Sequence, residues 1–159
     1  PPPPIEIRPA AEGDLPALGR LAGELVRLHH GWDAQRFFLP ENVERGYQWW
    51  FGRELKEKDA ILLAAVREGA VVGYAYGRIE ERDWNMLLDA HAALHDILVD
   101  DAVRGHGVAE RLLEAFVAAA KERGAPRMGL STAFSNTRAQ AFFEKHGFRR
   151  TMVEMTREL

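Results

Sequence analysis

Apolar residues recur at spacings of three and four in four segments of the chain, and this pattern predicts four amphipathic helices. Their approximate limits are residues 14–31, 40–58, 107–123 and 136–145. The third helix has the clearest end signal, because Gly124 and then Pro126 follow its last apolar position. The shorter apolar runs between these helices are rich in Val and Ile, which is typical of strands.

Six of these shorter runs are predicted as strands. Their limits are residues 5–8, 61–67, 70–79, 94–99, 127–132 and 148–155. The second and third strands flank Glu68 and Gly69, a two-residue turn that predicts a β-hairpin. Strands and helices in this order predict a mixed α/β domain built on a central sheet.

Length and composition narrow the class of protein. A chain of 159 residues with 47% hydrophobic residues is expected to form one domain over residues 1–159, with residues 1–4 as a flexible proline-rich lead-in. The absence of cysteine excludes disulfides, thiolate metal sites and cysteine nucleophiles. The longest apolar runs fall far short of the ~20 residues of a membrane helix. We therefore expect a cytoplasmic protein with no membrane partner.

The distribution of charge says more than the net value of −3, which itself argues against a nucleic-acid partner. Residues 80–101 carry seven acidic side chains and one basic side chain, whereas residues 121–159 carry eight basic and four acidic ones. A region of one charge attracts ligands of the opposite charge. The pattern favours a cationic reactant that meets an anionic cofactor, although solvated surface charge explains most of these residues equally well.

A glycine-rich turn joins the fourth strand to the third helix. It consists of Arg104, Gly105, His106, Gly107, Val108 and Ala109. Backbone N–H groups and the positive end of the helix dipole make such a turn a site for phosphate. The turn lacks the third glycine of the dinucleotide fingerprint, where Glu110 stands, and it lacks the Gly-Lys-Ser/Thr of a P-loop. Taken alone, the turn is as compatible with a plain strand-to-helix connection as with a binding site.

A second motif lies in the fourth helix and runs into the last predicted strand. Its residues are Asn136, Ala139, Phe142, Phe143, Gly147 and Phe148. Together the two motifs closely resemble the GNAT superfamily of acyl-CoA-dependent N-acetyltransferases, over residues 93–153. The resemblance implies a GNAT-like α/β fold: a mostly antiparallel, twisted central sheet of six to seven strands with a splayed parallel pair, flanked by about four helices.

The resemblance also implies where acetyl-CoA, the co-substrate, would bind. The backbone of residues 104–109 would hold the pyrophosphate. The pantetheine arm would lie along Ile97, Leu98 and Val99, and an N–H group near Val99 would polarise the thioester carbonyl. Asn136 would reach the pantetheine or the reacting centre, although a helix cap is an equally good explanation for its side chain.

Family members often carry a tyrosine at the position of Phe143, where its hydroxyl protonates the leaving thiolate. Phe143 would line the cofactor site but has no proton to give. The three tyrosines of the chain lie far away in sequence, so water, Ser135 or His146 are the alternatives for the general acid. The substitution also leaves open a non-catalytic, CoA-binding regulatory module.

The strand at residues 94–99 resembles that of the polyamine-type members, the spermidine/spermine acetyltransferases, which carry a Glu-Asp pair there. Here the pair is His95 and Asp96. Strand alternation predicts that the two side chains lie on opposite faces of the sheet. His95 has a suitable pKa range for the general base, and Asp96 is suited to bind an ammonium or orient a water. A structural role remains open for either.

The acceptor is expected to lie between the loop that joins the first two helices and the strands opposite. Candidate substrate-binding residues are His29, Trp32, Asp33, Glu80 and Trp84. Aromatic faces beside carboxylates suit a cationic amine. Alternatively, the two tryptophans cover the core or the interface of a homodimer.

The sequence therefore predicts direct transfer of the acetyl group to a primary amine of a small molecule, polyamine or amino-acid-like, with acetylation of a protein amine as an alternative. A zinc enzyme is the main rival, since His91 and His95 have the spacing of helical metal ligands. The β-branched residues that follow them favour a strand, on which the two rings would stand about 13 Å apart. We therefore expect no metal.

Overall fold

The computed structural model describes residues 3–159, so the first two prolines of the expected lead-in lie outside the described residues. Within this range the chain forms five strands and four helices. In chain order they are β1 (Ile5–Pro9), α1 (Leu15–Trp32), α2 (Val43–Glu54), β2 (Ala60–Arg67), β3 (Ala70–Glu80), β4 (His91–Val99), α3 (Val108–Glu122), β5 (Met128–Leu130) and α4 (Thr137–Lys145). The mixed α/β class and the four helices are confirmed.

The strands form one sheet in the order β1-β2-β3-β4-β5. The first four are antiparallel neighbours, and β4 and β5 are parallel. The parallel pair is short, because it ends where Leu94 pairs with Leu130. Beyond Leu94, β4 continues to Val99 and pairs with β3. Within residues 3–159, the edge of β4 that faces away from β3 has no neighbouring strand over this half.

The expectation of six to seven strands is wrong, because the described residues contain five. The missing element is the last predicted strand at residues 148–155, which has no regular structure. Its alternating pattern is present in the sequence, but a strand also needs a neighbour to complete its hydrogen bonds. In the part of the chain that the structure describes, no strand pairs with this segment.

Helices cover both faces of the sheet, as the apolar pattern requires. On one face, here called the α3 face, α3 packs through Leu112 and Phe116, and α4 packs through Phe143. On the other, the α1 face, α1 and α2 pack through residues such as Leu21 and Phe51. The apolar stripe predicted for α3 is confirmed, since its residues are all buried: Val108, Leu112, Leu113, Phe116 and Ala120.

A β-bulge interrupts β4 at the point where the sheet changes from five strands to four. Tyr76 of β3 pairs with Asp96, but the next residue, Gly77, pairs with Leu94, so His95 is left without a partner in the strand register. A bulge places two residues opposite one and shifts the alternation of side chains. His95 and Asp96 consequently both project toward the α1 face. The expectation that they lie on opposite faces is wrong for this reason.

Gly77 is required for close packing beside the bulge. A Cβ at this position would lie 2.0 Å from the carbonyl oxygen of Ala93 and 2.5 Å from Cζ of Phe116. We therefore expect Gly77→Ala to destabilise the fold by about 2 kcal/mol, a typical cost of overpacking, and to lower Tm by roughly 4–8 °C. Thermal unfolding followed by circular dichroism measures the change.

Gly31→Ala is the matched control for this substitution, because nothing lies within 4 Å of a Cβ built at Gly31. An equal effect of both substitutions would contradict the explanation by close packing.

Candidate active site

A cavity of about 250 Å³ opens between α1, the loop that follows it, and the bulge in β4. Its polar lining consists of Arg36, His95 and Asp96. The rest of the lining is apolar or aromatic, from Leu25, Val26, His29, Phe37, Phe38, Pro40 and Tyr47. A small molecule with an apolar body and one or two polar groups fits a cavity of this size and lining.

The carboxyl group of Asp96 is held by a buried tyrosine. The hydroxyl of Tyr74, which is fully buried, donates a hydrogen bond of 2.9 Å to Oδ2 of Asp96. Burial raises the pKa of Asp96, and the hydrogen bond from Tyr74 opposes that rise, as do the nearby imidazoles of His95 and His29. Asp96 is therefore a stronger base than an exposed carboxylate, and its orientation is fixed.

His95 lies at the more exposed side of the cavity. Its Nε2 atom is 3.8 Å from Oε1 of Glu80, and its ring centroid is 5.7 Å from that of Tyr76. The hydroxyl of Tyr76 donates to the buried carboxylate of Glu54, which also pairs with Nε of Arg78 at 3.2 Å. The Tyr76 ring beside His95 is therefore held in place by the hydrogen bond of its hydroxyl to Glu54, the last residue of α2.

His29 shapes the opposite wall of the cavity. Its Nδ1 atom donates to the carbonyl of Leu25 at 2.7 Å, because a carbonyl can only accept. The His29 ring meets Phe37 and Trp32 edge to face, at 4.9 and 5.0 Å between centroids. Asp33 accepts the backbone N–H groups of residues 35 and 36 at 3.2 Å. Trp32 and Asp33 therefore support the wall rather than line the cavity.

Two other candidates for acceptor binding lie at or beyond the edge of this site. Glu80 reaches it only through His95, and Trp84 is 74% exposed on the β3–β4 connection, where Arg82 lies over its ring. His91 is buried and its Nδ1 contacts the carbonyl of Asp89 at 2.9 Å. No group of three potential metal ligands comes together within residues 3–159.

The glycine-rich turn has the backbone shape expected of an anion site. Gly105 and Gly107 have φ of +81° and +73°, which side-chain-bearing residues rarely adopt. Gly107 precedes α3, and no side chain caps the N–H groups of the first turn. A Cβ at either position would meet nothing within 4 Å, so glycine is required there for its backbone conformation and not for lack of space. Uncapped N–H groups at the start of a 15-residue helix are suited to bind phosphate.

Basic side chains surround a second cavity, of about 240 Å³, beside this turn. Arg67, His106 and Arg111 line it, together with Val103 and with Pro3, Pro4 and Ile5 at the start of β1, so the cavity lies on the β1–β2 side of the turn. Arg104 does not line this cavity, and its Nε atom pairs instead with Asp101 at 2.9 Å. Three basic side chains next to uncapped N–H groups favour a ligand with more than one anionic group.

The motif residues of α4 have structural contacts. The Oδ1 atom of Asn136 accepts the N–H group of Ala139 at 3.1 Å and so caps the helix. Phe143 is 6% exposed and packs in the core on the α3 face. His146, one alternative for the general acid, lies with Nε2 4.0 Å from Oε1 of Glu110. Asn136 therefore caps α4, and Phe143 packs in the core, in addition to the roles that the resemblance implies.

Sequence reasoning missed the tyrosines of the site. Tyr74 lies 22 residues from Asp96 along the chain, but it is on the neighbouring strand and bonds to that carboxylate. Tyr47 lines the cavity, and burial, with a contribution from the charge of Asp96, raises its pKa to about 12. A partial signal was present in the sequence, because the predicted third strand carries tyrosines at alternating positions, but its pairing with the strand beside it was not predicted.

Comparison with known proteins supports the fold. The chain is 24% identical over 148 residues to an uncharacterized N-acetyltransferase of Archaeoglobus fulgidus, and the match covers 92% of this chain and 94% of the relative. A tetramutant of the BH1408 protein of Bacillus halodurans has a TM-score of 0.84 at 20% identity, over 97% of this chain and 99% of that one. The aminoglycoside N-acetyltransferase AAC(6')-Iy, solved in complex with CoA, has a TM-score of 0.80 at 21% identity, over 99% and 95%.

None of the helices within residues 3–159 combines the length and apolar character needed to cross a bilayer.

The sequence itself identifies the family. The profile of the acetyltransferase (GNAT) family matches residues 25–148, which include the cavity residues from His29 to Asp96, the glycine-rich turn and the α4 motif. The chain therefore belongs to the acetyltransferase (GNAT) family, enzymes whose co-substrate is acetyl-CoA.

Proposed function

We propose that this enzyme transfers the acetyl group of acetyl-CoA directly to a primary amine of a small cationic molecule, either a polyamine or an amino-acid-like amine. The bulge carries this proposal, because it brings His95 and Asp96 into one cavity next to the half of β4 that β5 leaves uncovered. Base and thioester would therefore meet where the two strands separate.

The turn that leads from β4 into α3 fits the anionic part of acetyl-CoA. The uncapped start of α3 would accept the pyrophosphate, and His106 of the turn and Arg111 of α3 would lie beside the remaining phosphate. The free edge of β4 from Ile97 to Val99 offers backbone groups to the amides of the pantetheine arm, and the N–H group of Val99 would polarise the thioester carbonyl. The bound co-substrate supplies an activated acetyl thioester.

An amine attacks a thioester only in its neutral form, so the enzyme must accept a proton from the incoming ammonium. We assign that role to Asp96, because burial favours its protonated form and Tyr74 fixes its direction. His95, beside Glu80, would bind the acceptor at the mouth of the cavity. The aromatic wall of His29, Phe37 and Tyr47 suits the apolar stem and the charge of the amine.

The size of the cavity favours a polyamine or amino-acid-like acceptor over an aminoglycoside. About 250 Å³ accommodates a linear diamine more readily than a multi-ring sugar. The similarity to AAC(6')-Iy keeps aminoglycosides in the test as the second candidate.

The experiment has two stages. Acetyl-CoA at about 100 times its Kd should raise stability by about 2.7 kcal/mol, whereas NAD and ATP should not. Thiol release is then measured with spermidine, ornithine, an aminoglycoside and a peptide with a free N-terminus. Turnover with spermidine or ornithine supports the proposal. Turnover with the aminoglycoside or peptide alone would replace the acceptor class, and stabilisation without any turnover would favour a CoA-binding regulatory module.

The pH dependence of kcat/KM distinguishes the two candidate bases. A carboxyl group accepts a proton only above its own pKa, so activity should rise with pH through the raised pKa of Asp96, above the ordinary carboxyl value of about 3.9. This rise should persist in His95→Gln. Loss of the rise in His95→Gln would assign the base to His95 instead.

A further inference from the structure

Arg36 brings a permanent positive charge to the cavity proposed for the acceptor. It lies in the loop between α1 and α2, and it lines the cavity together with His95 and Asp96. A guanidinium has only hydrogen-bond donors, and an ammonium offers it no acceptor. Transfer of an acetyl group to a plain polyamine therefore leaves this arginine without a role.

A carboxylate already binds the guanidinium of Arg36. Glu154 accepts two hydrogen bonds from it, from Nε at 2.5 Å and from Nη2 at 2.8 Å, with a different carboxylate oxygen in each. This two-point geometry is the one in which arginine recognises carboxylates. The guanidinium is therefore presented in an orientation that the carboxylate of a ligand can use.

The loop holds Arg36 in place through contacts that do not involve Glu154. The guanidinium lies over the ring of Phe37, 4.8 Å from the centroid. The carbonyl of Phe37 accepts a hydrogen bond of 2.8 Å from Nδ1 of His30, and the N–H group of Phe37 donates to the carbonyl of Asp33 at 3.0 Å. The carboxylate of Asp33 accepts the N–H group of Arg36 at 3.2 Å. Arg36 would therefore stay at the cavity if Glu154 were to leave.

Glu154 itself has little else to hold it there. It belongs to the C-terminal segment 149–159, which is exposed and has no regular structure. The side chains of Arg36 and Glu154 are 41% and 65% exposed. Ion pairs exposed to this degree contribute little to stability, because water and dissolved salt screen them. The carboxylate of a bound acceptor can therefore displace that of Glu154.

The cavity thus offers an anionic and a cationic group to the same ligand. Asp96 is the proposed base for the reacting amine, and Arg36 lines the same cavity from the loop. A molecule with both an amine and a carboxylate can use both groups, whereas a polyamine has nothing that Arg36 can bind. Two-point hydrogen bonds from arginine are strong and directional, so they select the ligand that carries the carboxylate.

We propose that Arg36 binds the carboxylate of an amino-acid-like acceptor, in the place that Glu154 occupies in the free enzyme. This inference rests on the proposed acetyl transfer, and within that function it selects the amino-acid-like class over polyamines. Arg36 then determines specificity at a group that does not react, while Asp96 receives the proton. Binding of the acceptor exchanges one carboxylate for another, so the guanidinium is paired in both states.

Ornithine and putrescine are a matched pair of acceptors, because putrescine is ornithine without its carboxylate. The wild type should have the higher kcat/KM with ornithine. Arg36→Gln should lower kcat/KM for ornithine by about 10- to 100-fold, the usual effect of losing hydrogen bonds to a charged group, and should change that for putrescine by no more than about twofold. Equal losses with both acceptors, or a wild-type preference for putrescine, would overturn the inference.

Arg82→Gln is the matched control for this substitution. Arg82 also lies over an aromatic ring, that of Trp84, and forms the same two-point pair with a carboxylate, that of Asp89, but it does not line the cavity. Arg82→Gln should leave the ratio of the two kcat/KM values unchanged. A fall of this ratio equal to that in Arg36→Gln would show that the selection does not come from the cavity.

Glu154→Gln tests the exchange of the two carboxylates. It should lower KM for ornithine by about two- to fivefold, because the acceptor no longer competes with a carboxylate of the enzyme, and it should leave KM for putrescine unchanged. An unchanged KM for ornithine would show that Glu154 and the acceptor do not share Arg36.

A binding measurement separates this inference from the acetyl transfer on which it rests. Ornithine and putrescine are titrated calorimetrically into the complex of the enzyme with CoA, in which no transfer takes place. Tighter binding of ornithine that is lost in Arg36→Gln, without turnover of any amine, would support the carboxylate site and overturn the proposed function. Turnover of ornithine with unchanged affinity in Arg36→Gln would overturn the carboxylate site alone. Absence of ornithine binding would also overturn that site, whatever amine the enzyme acetylates.

Discussion

Asp96→Asn is expected to lower kcat/KM by about 10²- to 10⁴-fold, the usual contribution of a general base. Asparagine keeps the size of the side chain and still accepts the hydrogen bond from Tyr74, but it cannot take a proton from the amine. The binding of acetyl-CoA should change little, because the uncapped start of α3 and the basic cavity lie on other elements. Steady-state kinetics with the best acceptor, together with a titration of acetyl-CoA, measure both quantities.

The same substitution should raise stability at neutral pH. Because burial raises the pKa of Asp96, the folded protein holds this proton more tightly than the unfolded chain, and folding stability falls as pH rises from the ordinary carboxyl value through the raised one. Above that window the wild type carries a buried charge, whereas the amide of the Asp96→Asn variant is neutral. Tm of Asp96→Asn should therefore exceed that of the wild type at pH 7, and the difference should shrink in acid.

His95→Gln is the control for both measurements, since it changes the neighbouring residue of the same bulge. We expect it to affect mainly the KM of the acceptor. If Asp96→Asn retains more than a tenth of wild-type kcat/KM, Asp96 is not the base. If the variant is inactive and also less stable at pH 7, its carboxylate has a structural role and the loss of activity is indirect.

The double variant Gly105→Ala/Gly107→Ala is expected to weaken the binding of acetyl-CoA by roughly 30- to 1000-fold. Both positions have positive φ, where a residue with a Cβ costs about 1–2 kcal/mol each. The free turn can relax to avoid this cost, but binding of the pyrophosphate would require the strained shape again. The strain energy of the bound turn is therefore subtracted from the free energy of binding. Isothermal titration with CoA measures it.

The matched control is Gly13→Ala/Gly46→Ala, two glycines that also have open space around a Cβ but do not have positive φ. This control should bind CoA like the wild type. Equal affinity of the two double variants would show that the shape of the turn is not what the co-substrate requires. A larger fall in Tm of the ligand-free Gly105→Ala/Gly107→Ala variant than of its control would show that the strain is not relieved in the free turn.

Local patterns were sufficient to predict most of the elements. The apolar stripe and end signals of α3 predicted its limits to within a residue, and the Glu68–Gly69 turn predicted the β2–β3 hairpin. These features depend on residues close together in sequence. The glycines of the anion turn were identifiable for the same reason, since their backbone conformation is a local property.

The features that were not predicted depend on contacts between distant segments. Nothing in the residues around His95 marks a bulge, which arises from the register between β3 and β4. The contact of Tyr74 with Asp96 follows from that register as well. The last predicted strand, residues 148–155, is absent for a different reason. Its alternating pattern indicates that the segment is suited to pair with another strand, but the pattern does not show whether the same chain provides that strand.

The bulge in β4 also has a consequence for how substrate range can diverge. Its geometry belongs to the backbone pairing of β3 and β4, with Gly77 packed behind it, and not to the side chains of His95 or Asp96. The side chain at position 95 can therefore be exchanged without turning position 96 away from the cavity. A substitution of His95 would change the charge and size of the acceptor side of the cavity, while Asp96 keeps its position as the base, so the range of amines can diverge without loss of the chemistry.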